Sequence, residues 1–327
     1  MSQFKILLRT ITRILIIIIL ITSLSGCRVL FDVGDNIVRS FSSPEKIRNR
    51  IKDPVRPGVK LSALWVGHAT ILLQIGDKVI LTDPFLTDFI AEIQMRIQEP
   101  GIDINDLKQC DIILISHSHF DHLNLGSLGI LEKKFPKADL VFPEDAKEFI
   151  PKIDFNLHPL KIPDHKKKKY IGESKIIDGV EIICVAAYHW GGRYGLDGLL
   201  WGYDGFCGFI IKYNGYTVYF PGDTAYDEEF YKFLGENYEI DLEFMPIGPC
   251  SDCTLVDKPD RHLYPKGALK ILDDTKAKLM IPMHYGTIAE LSEPEEPKRV
   301  LEELVREQPK YKDRVKILKI GEQIVIN

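Results

Sequence analysis

Four apolar runs in this chain each lead to a residue able to hold a metal ion: DIILIS to His117, ICVAAY to His189, TVYFPG to Asp223 and LMIPM to His284. Short apolar runs rich in β-branched residues and bounded by turn signals read as buried strands. Side chains at one end of a sheet face a common mouth, so groups distant in sequence can meet there. The pattern calls for a sheet-rich body with a single polar rim.

The stretch ISHSHFDHLN, Ile115–Asn124, packs three histidines and an aspartate into six residues. His117 and His119 are two apart and can point the same way from an extended chain. Asp121 and His122 follow, where the chain turns into a helical segment. Once His189, Asp223 and His284 are added, the set exceeds the four ligands of a closed tetrahedral site, which favours two ions. Taken singly, His189 or His284 reads as a satisfied core histidine and Asp223 as a turn residue in PGDT. The clustered quartet does not, because burying it without a cation leaves polar groups unsatisfied. Asp83, at a strand end in TDP, reads as the partner that orients a ligand histidine or as a strand-terminating turn residue. His68 in GHAT reads as site-lining, whereas His158 and His165 read as surface residues.

Around these residues strands alternate with helical segments. LSALWVGHATILLQIGDKVILTDP reads as two strands about a Gly-Asp turn, and GFCGFIIKYNGYTVYFPGDT as a hairpin turning at Asn214-Gly215. ADLVFP, VEIICVAAYHW, LEFMPIG, AKLMIPMH and VKILKIGEQIVI supply further strands. LNLGSLGILEKKF, YDEEFYKFLGENY, PKGALKILDDT and EEPKRVLEELVRE carry helical spacing. Two sets of strands with helices between them predict an α+β sandwich with helices outside.

The front end differs from the rest. Lys5, Arg9 and Arg13 precede an unbroken apolar run, Ile14–Ile21, which ends in Thr-Ser-Leu-Ser-Gly-Cys. That is the layout of a secretory signal; the run falls short of the ~20 apolar residues of a spanning helix unless its less apolar flanks are counted, in which case it reads as a plain membrane anchor. Leu24-Ser25-Gly26-Cys27 resembles the lipobox of bacterial lipoproteins, which implies cleavage after residue 26 and acyl chains on Cys27. The expectation is a signal over residues 1–26, a lipidated tether over 27–58 and one globular domain over 59–327, anchored in the bacterial envelope and facing the periplasm or exterior. Cleavage removes three positive charges and no negative one from a formal net charge of −5, leaving −8. A body of that charge is not drawn to nucleic acid. Of the remaining cysteines, Cys110, Cys184 and Cys207 sit in apolar stretches that suit buried thiols, and Cys250-Ser-Asp-Cys253 is open to a local disulfide.

SHSHFDH resembles the metal motif of the metallo-β-lactamase superfamily, with His189, Asp223 and His284 downstream in the order that superfamily uses. WVGHATILLQIGDKVILTDP, ISHSHFDHLN, WG…YFPGDT, RHLYPKGAL and MHYGT…EPEEP resemble more closely its N-acylphosphatidylethanolamine-hydrolysing phospholipase D branch, from about Leu61 onward. The resemblance implies an αββα sandwich with two ions on its rim. His117, His119 and His189 would hold one, Asp121, His122 and His284 the other, and Asp223 would bridge them. Imidazole and carboxylate ligands suit zinc best, with manganese or iron as alternatives. Asp121 would also orient the attacking water. His262, in an H-x-x-P setting, would lie beside the metals and assist catalysis.

Two ions about 3.5–4 Å apart lower the pKa of a shared water and neutralise charge growing on a phosphoryl oxygen, so hydrolysis is the expected chemistry. The resemblance points to a phospholipid-like diester. A lactonase of the sugar-lactone-hydrolysing branch shares the GHAT opening and the metal set, and a non-catalytic surface lipoprotein is the reading from outside the enzymes. CSDCTLVDKPDR, ahead of His262, departs from the aromatic and arginine pattern of the phospholipases. The aromatics Trp190, Tyr194, Trp201, Tyr203 and Phe206 are candidates for an acyl groove, with core packing as their simpler explanation.

Overall fold

The computed structural model describes residues 42–48, 50–90, 94–164, 167–193, 205–258, 261–289 and 293–326. Cys27 with the rest of the leading segment, His165, and Tyr194, Trp201 and Tyr203 lie outside these residues.

Two large sheets face each other. The first is built from β1 (Leu61–Gly67), β2 (Thr70–Ile75), β3 (Lys78–Thr82), β4 (Ile112–Leu114), β5 (Asp139–Pro143) and β6 (Asn156–Leu160). The second is built from β7 (Ile171–Ile177), β8 (Val180–Val185), β9 (Gly208–Tyr213), β10 (Tyr216–Phe220), β11 (Leu242–Pro246) and β12 (Leu279–Met283). The last strand, β13 (Gln323–Ile326), returns to the first sheet, giving orders β13-β1-β2-β3-β4-β5-β6 and β12-β11-β10-β9-β8-β7. In each sheet an antiparallel meander passes into parallel strands, β3 to β6 in one and β10 to β12 in the other.

The period-2 geometry of a strand decides which residues face which layer. Along β1, Ala63 and Trp65 join the core shared by both sheets, while Leu64 and Val66 face the outer cluster that holds Leu128 and Leu131. Those two leucines belong to α1 (Leu125–Lys134). On the other side α2 (Glu228–Asn237), α3 (Pro265–Thr275) and α4 (Glu296–Glu307) bury Phe230, Tyr231, Leu234, Leu272 and Leu301. The αββα sandwich expected from the sequence therefore forms, as a single domain. The four helical segments and the Asn214-Gly215 hairpin also form where the pattern put them, with both turn residues at positive φ.

Three differences have physical reasons. The run read as one strand from Leu61 to Ile75 is two, broken where Gly67 (φ 118°) and His68 (φ 54°) turn the chain back on itself. β6 and β7 escaped the sequence reading because most of their side chains are exposed or half-buried, so they carry little apolar signal. VKILKIGEQIVI is not one strand: Val315 makes an isolated bridge to Met280, Gly321 turns at φ 85°, and only Gln323–Ile326 joins the sheet.

The described part of the 27–58 stretch lies against the domain and contains no helix. Glu45 bridges Gln98, Arg50 pairs with Glu99 at 2.7 Å, and Ile51 and Val55 pack on the outer cluster. Cys250 and Cys253 are joined by a disulfide, while Cys110, Cys184 and Cys207 are buried free thiols.

Candidate metal centre

The four strand ends do converge. The loop after β4 carries His117, His119, Asp121 and His122; β8 leads to His189, β10 to Asp223 and β12 to His284. His119 Nδ1 lies 2.8 Å from His117 Nε2 and 3.2 Å from His189 Nε2. Beside this trio His122 Nε2 lies 3.2 Å from His284 Nε2 and 3.5 Å from Asp121 Oδ2. Asp223 stands between the groups, its Oδ2 3.4 Å from His122 Nε2 and 3.8 Å from His189 Nε2, its Oδ1 3.2 Å from His284 Nε2.

Hydrogen bonds on the outer side of the rings set the tautomers. His189 Nδ1 is 2.5 Å from the Arg261 carbonyl, which can only accept, so that nitrogen carries the proton. Ser116 Oγ donates to Asp83 Oδ2 at 2.6 Å and is thereby left to accept from His117 Nδ1 at 2.9 Å. His122 Nδ1 donates to the same carboxylate at 2.7 Å. In each neutral ring the Nε2 lone pair then points inward, toward other lone pairs and carboxylate oxygens. Acceptors crowded at about 3 Å repel unless a cation lies between them, and an orienting partner behind each ring is the usual support of a metal-binding histidine. The donor set fits divalent metal, in two groups that share Asp223.

In the field of the protein groups alone the rings divide into two kinds. Burial and neighbouring imidazoles hold His117 and His189 well below the ordinary histidine value. Burial also opposes charge on His122, but Asp223, Asp121 and Asp83 outweigh it and raise that ring; Asp223 does the same for His284. For Asp121 and Asp223 burial works against ionisation, and the surrounding histidines overcome it and keep both well below the usual carboxylate range.

Local folding explains the positions. After His119 the chain closes a turn, with the His122 and Leu123 amides donating to the His119 carbonyl, and Asn124 then caps α1 by accepting from Ser127 N at 2.9 Å. His68, Asp83 and His284 all adopt left-handed φ (54°, 33° and 62°), so three rim residues hold conformations that non-glycine residues seldom take. His68 Nε2 is 2.8 Å from Asp121 Oδ2, and burial followed by His284 lowers its pKa to about 3. His262 leads into Pro265 at the start of α3, with Nδ1 3.5 Å from Asp223 Oδ2 and its pKa lowered by burial to about 4.

Three residues that the sequence reading passed over complete the site. Arg193 Nη1 donates to the carbonyls of Ser118 and Leu123 at 2.9 and 3.0 Å, and its guanidinium lies over the Phe120 ring. It clamps the histidine loop at both ends. Ser116 relays Asp83 to His117, and Gly222 lets the Asp223 turn approach Ser116, since a Cβ there would lie 2.4 Å from the Ser116 Cβ. A lone arginine, serine or glycine carries no periodic signal; only the proximity of Ser116, Arg193 and Gly222 in sequence to ligands hinted at a role. Of the aromatic candidates, Trp190 packs on His119 with ring centroids 4.4 Å apart, and Phe206 is buried beside His189.

Comparison with known proteins follows this geometry. A family model described as beta-lactamase superfamily domain matches residues 78–285. An uncharacterised protein of Mycobacterium tuberculosis is 27% identical over 70% of this chain, which spans 59% of that relative. A metal-dependent hydrolase of Pyrococcus furiosus is 29% identical over 80% of this chain and 97% of its own length. A mitochondrial N-acyl-phosphatidylethanolamine-hydrolyzing phospholipase D of Saccharomyces cerevisiae is 29% identical over 79% of this chain and 54% of its own length. Among solved structures, a possible metal-dependent hydrolase from Veillonella parvula superposes with a TM-score of 0.61 at 16% identity, covering 82% of this chain and all of that one. An isothiocyanate hydrolase from Delia radicum gut bacteria gives 0.60 at 18% identity, over 81% and 99% of the two chains. At these identities the two structures speak for the fold alone. Family model, fold and His/Asp cluster agree, and the chain belongs to the metallo-β-lactamase superfamily of metal-dependent hydrolases.

Proposed function

We infer that the protein is a binuclear metallohydrolase, phospholipase D in type, that cleaves phosphodiesters of N-acylphosphatidylethanolamine-like lipids. The observation that carries the binuclear part is the sharing of Asp223 between two convergent ligand groups, His117/His119/His189 and Asp121/His122/His284. The lipid part leans on the yeast phospholipase D relative and on the lipobox-like Leu24–Cys27, which would hold the mouth close to an envelope membrane. Zinc suits the mixed nitrogen and oxygen donors.

Bound at these ligands, the metal pair would supply Lewis acidity and an activated water. Around it the chain's own groups divide the work. Asp121, oriented by His68 at 2.8 Å, accepts a hydrogen bond from the attacking water and holds it in line with phosphorus. Asp83 and Ser116 fix the tautomers of His122 and His117. His262, neutral at physiological pH by its burial, donates an N–H to a phosphoryl oxygen or to the departing alcohol oxygen as the ester bond breaks.

Metal analysis followed by hydrolysis of bis-p-nitrophenyl phosphate tests the reading, and digestion of a lipid extract with mass spectrometry of the products tests the substrate. Two metal equivalents, diester turnover, and phosphatidic acid together with an N-acylethanolamine are expected. Full metal occupancy with no diester turnover would overturn it. A lactonase, which would share the GHAT opening and the same seven ligands, is the second reading. A lactone panel run beside the diester separates the two. His262→Ala should keep its metal and lose about 10²-fold in turnover; loss of metal and activity together would count against a catalytic role.

A further inference from the structure

Among the described residues, two hydrogen-bond donors beside the metal centre have no acceptor. The first is Trp190 Nε1, buried and without a partner, on the indole that covers His119 at 4.4 Å. The second is the exposed side chain of Arg261, whose guanidinium lies over the same indole, Cζ 5.2 Å from the ring centroid. Among the described residues that guanidinium makes no ion pair or hydrogen bond, so the indole face is what holds it. The main chain of Arg261 is already committed: its carbonyl takes the His189 Nδ1 proton, and its amide donates to the Lys258 carbonyl in the small hairpin of Asp257–Lys258 with His262–Leu263. That hairpin sends His262 toward Asp223 and leaves the Arg261 side chain beside it, over Trp190.

Resting on the phosphodiesterase reading, we propose that Arg261, seated on Trp190, is the specificity residue that binds the non-bridging anionic oxygen of the substrate at the lip of the metal centre. A guanidinium offers a planar fork that matches phosphate, and a cation held against an aromatic face is pre-oriented without being neutralised. A carboxylate partner would have cancelled its charge; an indole does not. The arrangement selects substrates carrying a formal negative charge next to the scissile bond over neutral esters and lactones, because a neutral substrate offers no charge for the guanidinium to pair with.

Arg261→Gln and Arg261→Lys separate side chain from backbone, since both keep the carbonyl that supports His189. Each is loaded with zinc and checked for metal content and thermal midpoint, both expected to match the parent. Calorimetric titration with inorganic phosphate and with dimethyl phosphate then measures anion binding, and kinetics compare bis-p-nitrophenyl phosphate with a neutral lactone. In Arg261→Gln, phosphate affinity should fall about tenfold, the loss of one charge-assisted hydrogen bond. KM for the diester should rise similarly while lactone KM stays unchanged, and Arg261→Lys should recover part of the loss. Unchanged phosphate affinity in Arg261→Gln, or an equal loss on anionic and neutral substrates, overturns the proposal. A parent protein inert toward diesters but active on lactones, and still binding phosphate through Arg261, overturns the phosphodiesterase reading and leaves the anion-binding lip standing.

Discussion

Glu243, the second residue of β11, has no exposed surface and stands under α3. Its Oε1 has no partner, and its Oε2 lies 2.7 Å from Thr275 Oγ1, which is itself 2.9 Å from the Ile271 carbonyl. A threonine hydroxyl has one proton, so both contacts are satisfied only if the carboxyl donates to Thr275 and Thr275 donates to Ile271. Burial agrees, moving the pKa from 4.5 up to about 8. A raised carboxyl pKa means that the folded state holds the proton more tightly than the unfolded chain. Below 4.5 both states are protonated and the full stability is present; between 4.5 and about 8 the unfolded chain has lost its proton and stability falls as pH rises. At about 1.4 kcal/mol per pH unit, the loss approaches about 5 kcal/mol across that window. Glu243→Gln keeps the shape and a donor for Thr275 but cannot ionise. Urea unfolding of the zinc-loaded parent and variant from about pH 5.5 to about pH 8 should give a stability difference that moves toward the variant by about 3 kcal/mol, more than about 1 M in midpoint. A constant offset from the amide's unpaired N–H is permitted. A difference that does not change with pH would refute the assignment of a neutral, buried Glu243.

Other substitutions probe the site. Gly222→Ala places a Cβ at φ 63° against Ser116, which Asp83 holds in place; it should cost about 1–3 kcal/mol and reduce zinc occupancy, as read by thermal melts and metal analysis. Asp83→Asn substitutes an amide for a carboxylate that accepts from Ser116 N, Ser116 Oγ and His122 Nδ1, and competition with a chelator should find zinc affinity lowered about 10- to 100-fold. Arg193→Met removes the clamp on the Ser118 and Leu123 carbonyls; limited proteolysis should cut the 117–124 loop faster and zinc should bind more weakly, and an unchanged zinc affinity would deny the clamp a role in the site. On the proposed lipid anchor, Cys27→Ser expressed with residues 1–26 should appear in the soluble fraction while the parent partitions with the membrane, and equal partitioning of the two would remove the anchor from the account.

Most of the strands, the four helices and the seven metal-ligand candidates were legible in the linear sequence because each leaves a local mark. A buried strand is an apolar run, a helix shows 3.6-residue spacing, and a strand end that carries a histidine or aspartate is conspicuous where apolar residues stop. The exposed edge strands β6 and β7 left no such mark, since half-solvated strands need no apolar pattern. What holds the site in shape depends on distances between segments far apart in sequence. Asp83 reaches His122 across 39 residues, Arg261 supports His189 across 72, and Arg193 spans the histidine loop from 70 and 75 residues away. Ligand type is a property of a residue and can be read from a string. Tautomer, orientation and the charge an unpaired guanidinium presents to a substrate depend on what stands beside each group, and only the closed sandwich decides that.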